Sequence, residues 1–292
     1  MHEIEFHADD YGLFPAQSQE ILDCYKSGCL NAISIIPNSP YLSKCMDMLQ
    51  SYIGKIKVAV HLNFMEGRCL FDPKQVYHLV DDQGIFHASF GKLLLADFLP
   101  GREEYRQQLY REICAQICKV KEYLPPGMPL RIDGHAHYHM LPSVFDSLIQ
   151  VIQTEGWSVE YIRFPRENWS VYFGLKNLEN MKLINIIKVI VLNLLVARNR
   201  RKHNKYLADL EQRIFIGVAL SGAMTKQNVS SFLPKAIQTA KKKALGIELL
   251  AHPGGVYKSK DISQLTHPDD IAFLTSSFRG KEKEMLYVKW IQ

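Results

Sequence analysis

The chain has 292 residues, 47% of them hydrophobic, which is enough for one large α/β domain or two small ones, and a single barrel-like domain over 1–292 suits that length best. Its 35 Lys and Arg against 30 Asp and Glu are spread out except in "RNRRKHNK" (198–205) and "KKK" (241–243), which argues against a nucleic-acid stripe and reads as solvated helix ends. The six cysteines show no paired framework, Cys114 and Cys118 lie one helical turn apart, and no secretory signal pattern is visible, so reduced thiols in a cytoplasmic protein are expected.

Strand-like apolar runs alternate with helical periodicity along the chain. "IEFHA" (4–8) predicts a first strand and 15–27 a helix; "AISIIP" (32–37) follows, then a helix over 40–51 and a third strand at "VAVHL" (58–62). Residues 63–101, holding "DDQGIFHASFGK", are polar and irregular and read as a long loop over one barrel face. A helix over 102–124 stops at "LPPGMP" before "LRIDG" (130–134), and a helix over 142–155 leads to "VEYIRF" (159–164). The insertion 168–210 holds a helix over 179–202. Its "LINIIKVIVLNLLVA" (183–197) is shorter than a membrane span and carries Asn185, Lys188 and Asn193, so it reads as buried or amphipathic, with membrane-surface contact the second option. "RIFIGVA" (213–219), a helix over 227–243 and "IELLAH" (247–252) complete the series. Seven strands alternating with helices predict parallel strands and right-handed crossovers, and at this length a TIM-like (β/α) barrel rather than an open sheet.

Five of these strands end in groups that bind metals or move protons. The first ends in Asp9 and Asp10, the third in His61, the fourth in Asp133, His135, His137 and His139, the fifth in Arg163, Arg166 and Glu167, and the last in His252. Each has an ordinary explanation alone: a capped turn for Asp9 and Asp10, a rim histidine for His61, a strand-ending turn for "HPGG". In parallel barrels, however, all C-terminal strand ends share one rim, where active sites are built. At strand spacing the three imidazoles of "HAHYH" point to one side, where they would repel if charged unless a metal or carboxylate held them. One Asp with two neutral imidazoles is an open ligand set for a divalent catalytic ion. Two adjacent carboxylates then divide the work, one on the ion and one free to accept a proton from water.

In order and rough spacing, "HADDYG", "AVHLN", "RIDGHAHYHMLP", "RFPRE", "GVALSGAM" and "ELLAHPGG" resemble the YdjC-like carbohydrate deacetylases, which include chitooligosaccharide deacetylases and hopanoid-associated members. The resemblance runs from about residue 3 to about 255 and is expected to continue to the C-terminus. It implies a seven-stranded TIM-like barrel of the glycoside hydrolase/deacetylase superfamily that removes the N-acetyl group of an amino sugar with one divalent ion, Mg2+ or Zn2+. Carried over by position, it implies Asp10, His61 and His135 as metal ligands, Asp9 as general base and His252 as general acid. Arg163, Arg166, Glu167 and His137 become substrate-binding candidates, an Arg–Glu pair of structural role being the alternative for the "RFPRE" element. His7 stands where many members have a small polar residue. The expected partner is a small acetylated sugar, with a homodimer open and the specificity residues placed in 63–101 and 168–210. Hydrolysis of a phosphoester or cyclic amide, or a non-catalytic sugar-binding barrel, are the alternatives.

Overall fold

The computed structural model describes residues 3–96, 102–175, 178, 181–262 and 268–290, so parts of the expected 63–101 loop (97–101) and 168–210 insertion (176, 177, 179 and 180) lie outside the described residues. The strands are β1 (Ile4–Tyr11), β2 (Ala32–Ile35), β3 (Lys57–Leu62), β4 (Leu130–Gly134), β5 (Val159–Ile162), β6 (Arg213–Ile216) and β7 (Gly246–Ala251). The helices are α1 (Pro15–Ser27), α2 (Leu42–Leu49), α3 (Phe90–Ala96), α4 (Arg102–Lys121), α5 (Pro142–Glu155), α6 (Leu183–Lys202), α7 (Asn204–Leu207), α8 (Lys226–Lys243), α9 (Ser259–Ile262), α10 (Pro268–Leu274) and α11 (Ser277–Leu286). Local chemistry sets several of these ends: Pro15 and Pro142 open α1 and α5 where no intrahelical N–H is needed, and Gly156 closes α5 at φ 64°.

All seven strands pair in parallel in the order β5-β4-β3-β2-β1-β7-β6, as the alternation of elements implies. The sheet curls into a TIM-like barrel in which, among the described residues, β5 and β6 remain unpaired edges. The Glu167 carboxylate spans this seam: it accepts from the backbone N–H groups of Gly217 (2.8 Å), Val218 and Ala219 (3.1 Å), and from the Tyr172 hydroxyl (2.6 Å). One side chain from the loop after β5 therefore satisfies the donors that β6 would otherwise leave bare at its C-terminal end.

Inside the barrel the sheet carries charge. Arg131 forks onto Glu5 at 2.7 and 2.8 Å, Arg163 Nε donates to Glu248 at 2.7 Å, and the Tyr161 hydroxyl also meets Glu248, all of them buried. Removing one partner would strand the other away from water, so the set stands or falls together. Apolar residues on the outer faces of the strands and on the helices form the main core, exemplified by Ile33, Val60, Ile132, Leu148 and Phe232.

The stretch after β3 differs from the irregular loop expected. Val76, Leu79, Val80, Phe86 and Leu93 are buried in the main core, and the Glu112 carboxylate of α4 accepts from the N–H groups of Leu70 and Phe71. Its apolar residues are too widely separated to show a period, yet they pack as a cap. The six cysteines are free, and burial pushes the Cys24 and Cys29 thiols up to about 12, which leaves them unreactive.

Asp146 on α5 anchors the basic end of α6, accepting from Arg198, Lys202 and His203 at 2.7 Å. Burial alone would raise this carboxyl, but Arg198, His203 and Lys202 hold it well below the usual range. A depressed carboxylate stabilises fully above its ordinary pKa of ~4, less below it, and not at all once pH falls through the lowered value. Because Lys202 is half exposed, solvent screening limits the contribution to about 1 kcal/mol. Asp146→Asn is expected to lower Tm by roughly 2–4 °C at neutral pH, with the gap to the parent narrowing below about pH 4 in thermal melts.

Candidate active site

Asp9 and Asp10 would face opposite sides of a regular strand. In β1 the pairing to β2 runs His7 to Ala32, Ala8 to Ile33 and then Tyr11 to Ile35, so two residues oppose the single Ser34. This bulge, with Asp10 in the left-handed region at φ 68°, brings both carboxylates to the His61 imidazole, whose Nε2 is 3.8 Å from Asp9 Oδ2 and 3.7 Å from Asp10 Oδ1. A left-handed non-glycine residue costs on the order of 1 kcal/mol or more and persists where surrounding structure over-determines it.

Asp10, His61 and His135 each offer a ligand atom within 4.8 Å of the others. His61 Nδ1 donates to Asp133 Oδ1 at 2.6 Å, which puts the proton on Nδ1 and leaves Nε2 as a lone pair, buried and without a partner. That is the arrangement by which a carboxylate orients a metal-ligating imidazole. His135 turns Nδ1 to Asp10 Oδ1 (3.0 Å) and Nε2 to Glu66 (3.5 Å). Burial disfavours its charged form, yet Asp10, Glu66 and Asp9 lift it to about 9; a cation meeting the same carboxylates would displace that proton.

Two further buried groups have ligand-like spacing, Glu5/His7/Glu248 and His7/Asp9/Asp133. They are already neutralised. His7 bridges Glu5 (2.9 Å) and Ser34 (2.6 Å), Arg131 occupies Glu5, and Arg163 occupies Glu248 and Asp133. Of the three groups, Asp10/His61/His135 alone presents an unpartnered imidazole nitrogen among the described residues, and it is the one whose donor set fits a divalent ion.

Beyond Gly134 the structure corrects the expectation that His135, His137 and His139 share one side. Residues His135–Met140 form a 3-10 segment kinked by left-handed Ala136 (φ 47°) and His137 (φ 61°). The tight turn needs Gly134, where an added Cβ would lie 2.8 Å from His139 Nδ1. His135 reaches Asp10, His137 lies edge-on to Phe215 at 5.7 Å, and His139 Nε2 binds the Arg163 carbonyl at 2.9 Å. Burial, with Arg163 nearby, keeps His137 well below its ordinary pKa, and burial lowers His139 to about 4, so neither charge arises to repel.

Arg163 is fully buried and holds Asp9 Oδ2 at 2.9 Å, while Asp9 Oδ1 has no partner. Across the site His252 follows β7 next to β1, with its side chain 26% exposed and Nδ1 3.7 Å from Glu282. Burial disfavours the imidazolium, but Glu282, Asp10 and Asp9 together raise His252 above its ordinary value. Glu282 also accepts from the His252 backbone N–H at 2.6 Å, and Arg279 grips Asp10 Oδ2 at 3.0 Å and the Gly254 carbonyl at 3.0 Å. Sequence reading missed both α11 residues: "SFRGKEKEML" reads as a solvated charged face, with no cluster of ligand-type residues to mark it. Arg166, by contrast, is exposed and lines a separate cavity, and Glu167 is engaged at the barrel seam.

Replacing Asp10, His61 or His135 by Ala is expected to abolish stoichiometric binding of a divalent ion, and Asp133→Asn to weaken it by about 10–100-fold by loosening His61 together with one contact of Arg163. In the parent, affinity falls as pH drops below about 9, where His135 regains its proton. Calorimetric titration across pH measures both; unchanged binding in all three Ala variants contradicts the ligand set.

Comparison with known proteins gives the family. The sequence pattern of the "YdjC-like protein" family matches residues 3–286. A carbohydrate deacetylase of Xenopus laevis is 26% identical over 294 residues, covering 95% of this chain and 89% of that protein. A carbohydrate deacetylase of Homo sapiens is 25% identical over 257 residues, covering 85% of this chain and 73% of that one. A solved structure from Enterococcus faecalis V583, provisionally named a cellobiose-phosphate cleavage protein, matches the fold with a TM-score of 0.62 at 15% identity, covering 98% of this chain and 95% of that one. The chain is a member of the YdjC-like family over nearly its whole length.

Proposed function

We propose that the protein is a carbohydrate N-deacetylase that hydrolyses the acetamide of an N-acetylated amino sugar, a chitooligosaccharide or a related N-acetylglucosamine compound, and releases acetate. The observation that carries this reading is the Asp10/His61/His135 donor set, in which His61 Nε2 is buried, has no hydrogen-bond partner and lies 3.8 Å from Asp9 Oδ2. The names of the relatives support the same chemistry. Asp10, His61 and His135 would hold a divalent ion, and their two imidazoles favour zinc or its neighbours over magnesium. Such an ion, when bound, polarises the acetamide carbonyl and makes a nearby water more acidic.

The chain's own residues supply the proton transfers. Asp9, anchored through Oδ2 by Arg163, keeps Oδ1 free to take a proton from the water that attacks the carbonyl carbon. His252, its pKa raised, gives a proton to the sugar nitrogen as the C–N bond breaks, so that the amine leaves neutral. Glu66, 31% exposed, and His252, 26% exposed, are the more accessible side chains beside these residues, and substrate would enter past them. Free thiols with raised pKa values suit a reducing compartment such as the cytoplasm.

Asp9→Asn should retain metal and lose roughly 10²–10⁴ in turnover, since the amide matches the carboxylate in size but accepts no proton. His252→Ala should lose a similar factor on an acetamide and much less on an activated acetate ester, whose leaving group needs no proton; equal losses on both would reassign it. Glu282 favours the protonated imidazole, so Glu282→Gln lowers the His252 pKa and shifts the alkaline limb of kcat to lower pH, as a pH–rate profile will read.

A further inference from the structure

The most exposed large apolar side chains among the described residues are Leu183 (73%), Phe173 (71%) and Leu194 (67%), all on α6 or the segment before it. Along α6, Leu183, Ile187, Ile190 and Leu194 recur at steps of four, three and four, a single line on the helix surface, with Ile184 beside it. This face is not needed to hold the helix in place. The opposite face does that: Val189, Leu192 and Val196 are buried, and Asn185 and Asn199 bond to the carbonyls of Ala219, Ser221 and Met140.

The charge along these two helices is positive. α6 has no acidic residue and carries Lys188, Arg200 and Arg201 besides the Arg198 and Lys202 that Asp146 of α5 holds, and α8 carries Lys226, Lys235, Lys241, Lys242 and Lys243 and no acidic residue. Lys235 of α8 reaches the Phe173 carbonyl, so α8 borders the apolar line. Between the helices opens a cavity of about 690 Å3 lined by Phe173, Ile190, Leu194, Arg166, Arg200 and Lys243. Among the described residues neither Arg166 nor Arg200 pairs with a carboxylate; Arg200 donates to Gln212 at 3.0 Å and stacks on the Phe164 ring, and its buried Nε has no hydrogen-bond partner. Two unneutralised guanidinium groups at the edge of an aliphatic wall suit an anionic headgroup whose chains lie against that wall.

From this pattern we propose that the α6 face, with the Arg166/Arg200 cavity, is a docking surface for an anionic lipid bilayer. Aliphatic residues enter the interface while the flanking cations meet lipid phosphates. A second copy of the chain fits less well, although the four-three spacing would allow helix pairing. Two such faces would bring Lys188 and Arg201 against their counterparts with no acidic residue on either helix to offset them. Asn185 ties the start of α6 to carbonyls just beyond the C-terminal end of β6, so docking would set the active-site rim beside the bilayer. The surface stands on its own observations, whatever bond the site cleaves.

Co-sedimentation of the full chain with vesicles tests this. Binding is expected to phosphatidylcholine vesicles containing phosphatidylglycerol, to weaken with added salt, and to be slight on pure phosphatidylcholine. The double variant Ile187→Ser/Leu194→Ser should bind about tenfold less or worse, and Lys188→Glu several-fold less, both with unchanged circular dichroism. Absence of binding to the anionic vesicles, or equal binding by the double variant, overturns the proposal. So does a parent that is dimeric in light scattering and becomes monomeric in the double variant, which would assign the face to self-association.

Discussion

Everything at the candidate site depends on one irregularity in β1, the extra residue that sets Asp9 and Asp10 against Ser34 alone. Without it, side-chain alternation would send one carboxylate into the outer apolar layer, where an unpaired charge costs several kcal/mol. With it, the neighbours share a centre but not partners. Asp10 is gripped by Arg279 and His135, and Asp9 by Arg163. The difference in partners is what separates their chemistry: Asp10 has both oxygens committed, and Asp9 keeps one free.

Arg163 links that bulge to the rest of the barrel. Its guanidinium touches Asp9, Asp133 and Glu248, contributed by three different strands or their ends, and Asp133 in turn fixes the His61 tautomer. A rigid, planar, always-charged group suits this task, because it sets the angles among three carboxylates at once. Polar groups that would be a liability in an apolar barrel thus position the ligands, and the seam between β5 and β6 is closed by a carboxylate for the same reason.

Much of this was legible in the sequence because it depends on local pattern. All seven strands and the helices at 15–27 and 142–155 follow from apolar periodicity and Pro or Gly boundaries, and parallel order then places Asp9, Asp10, His61, His135 and His252 on one rim. What was not legible depends on backbone departures and distant contacts. Nothing in "HAHYH" announces two left-handed residues, so strand spacing was the natural but mistaken frame for its histidines. Arg279 lies 269 residues from Asp10 in the chain, and only the packed structure joins them. Arg163 and Glu167 were visible as unusual residues, while their burial against protein groups required three dimensions to see.

Acetate release tests the account most directly. Purified protein stripped with a chelator and then supplied with Zn2+ should liberate acetate and free amine in equal amounts from an N-acetylglucosamine oligomer, and none while the chelator is in excess. Release that persists undiminished in the chelator, or no release from any acetylated amino sugar by protein shown to hold one ion at Asp10, His61 and His135, would contradict it.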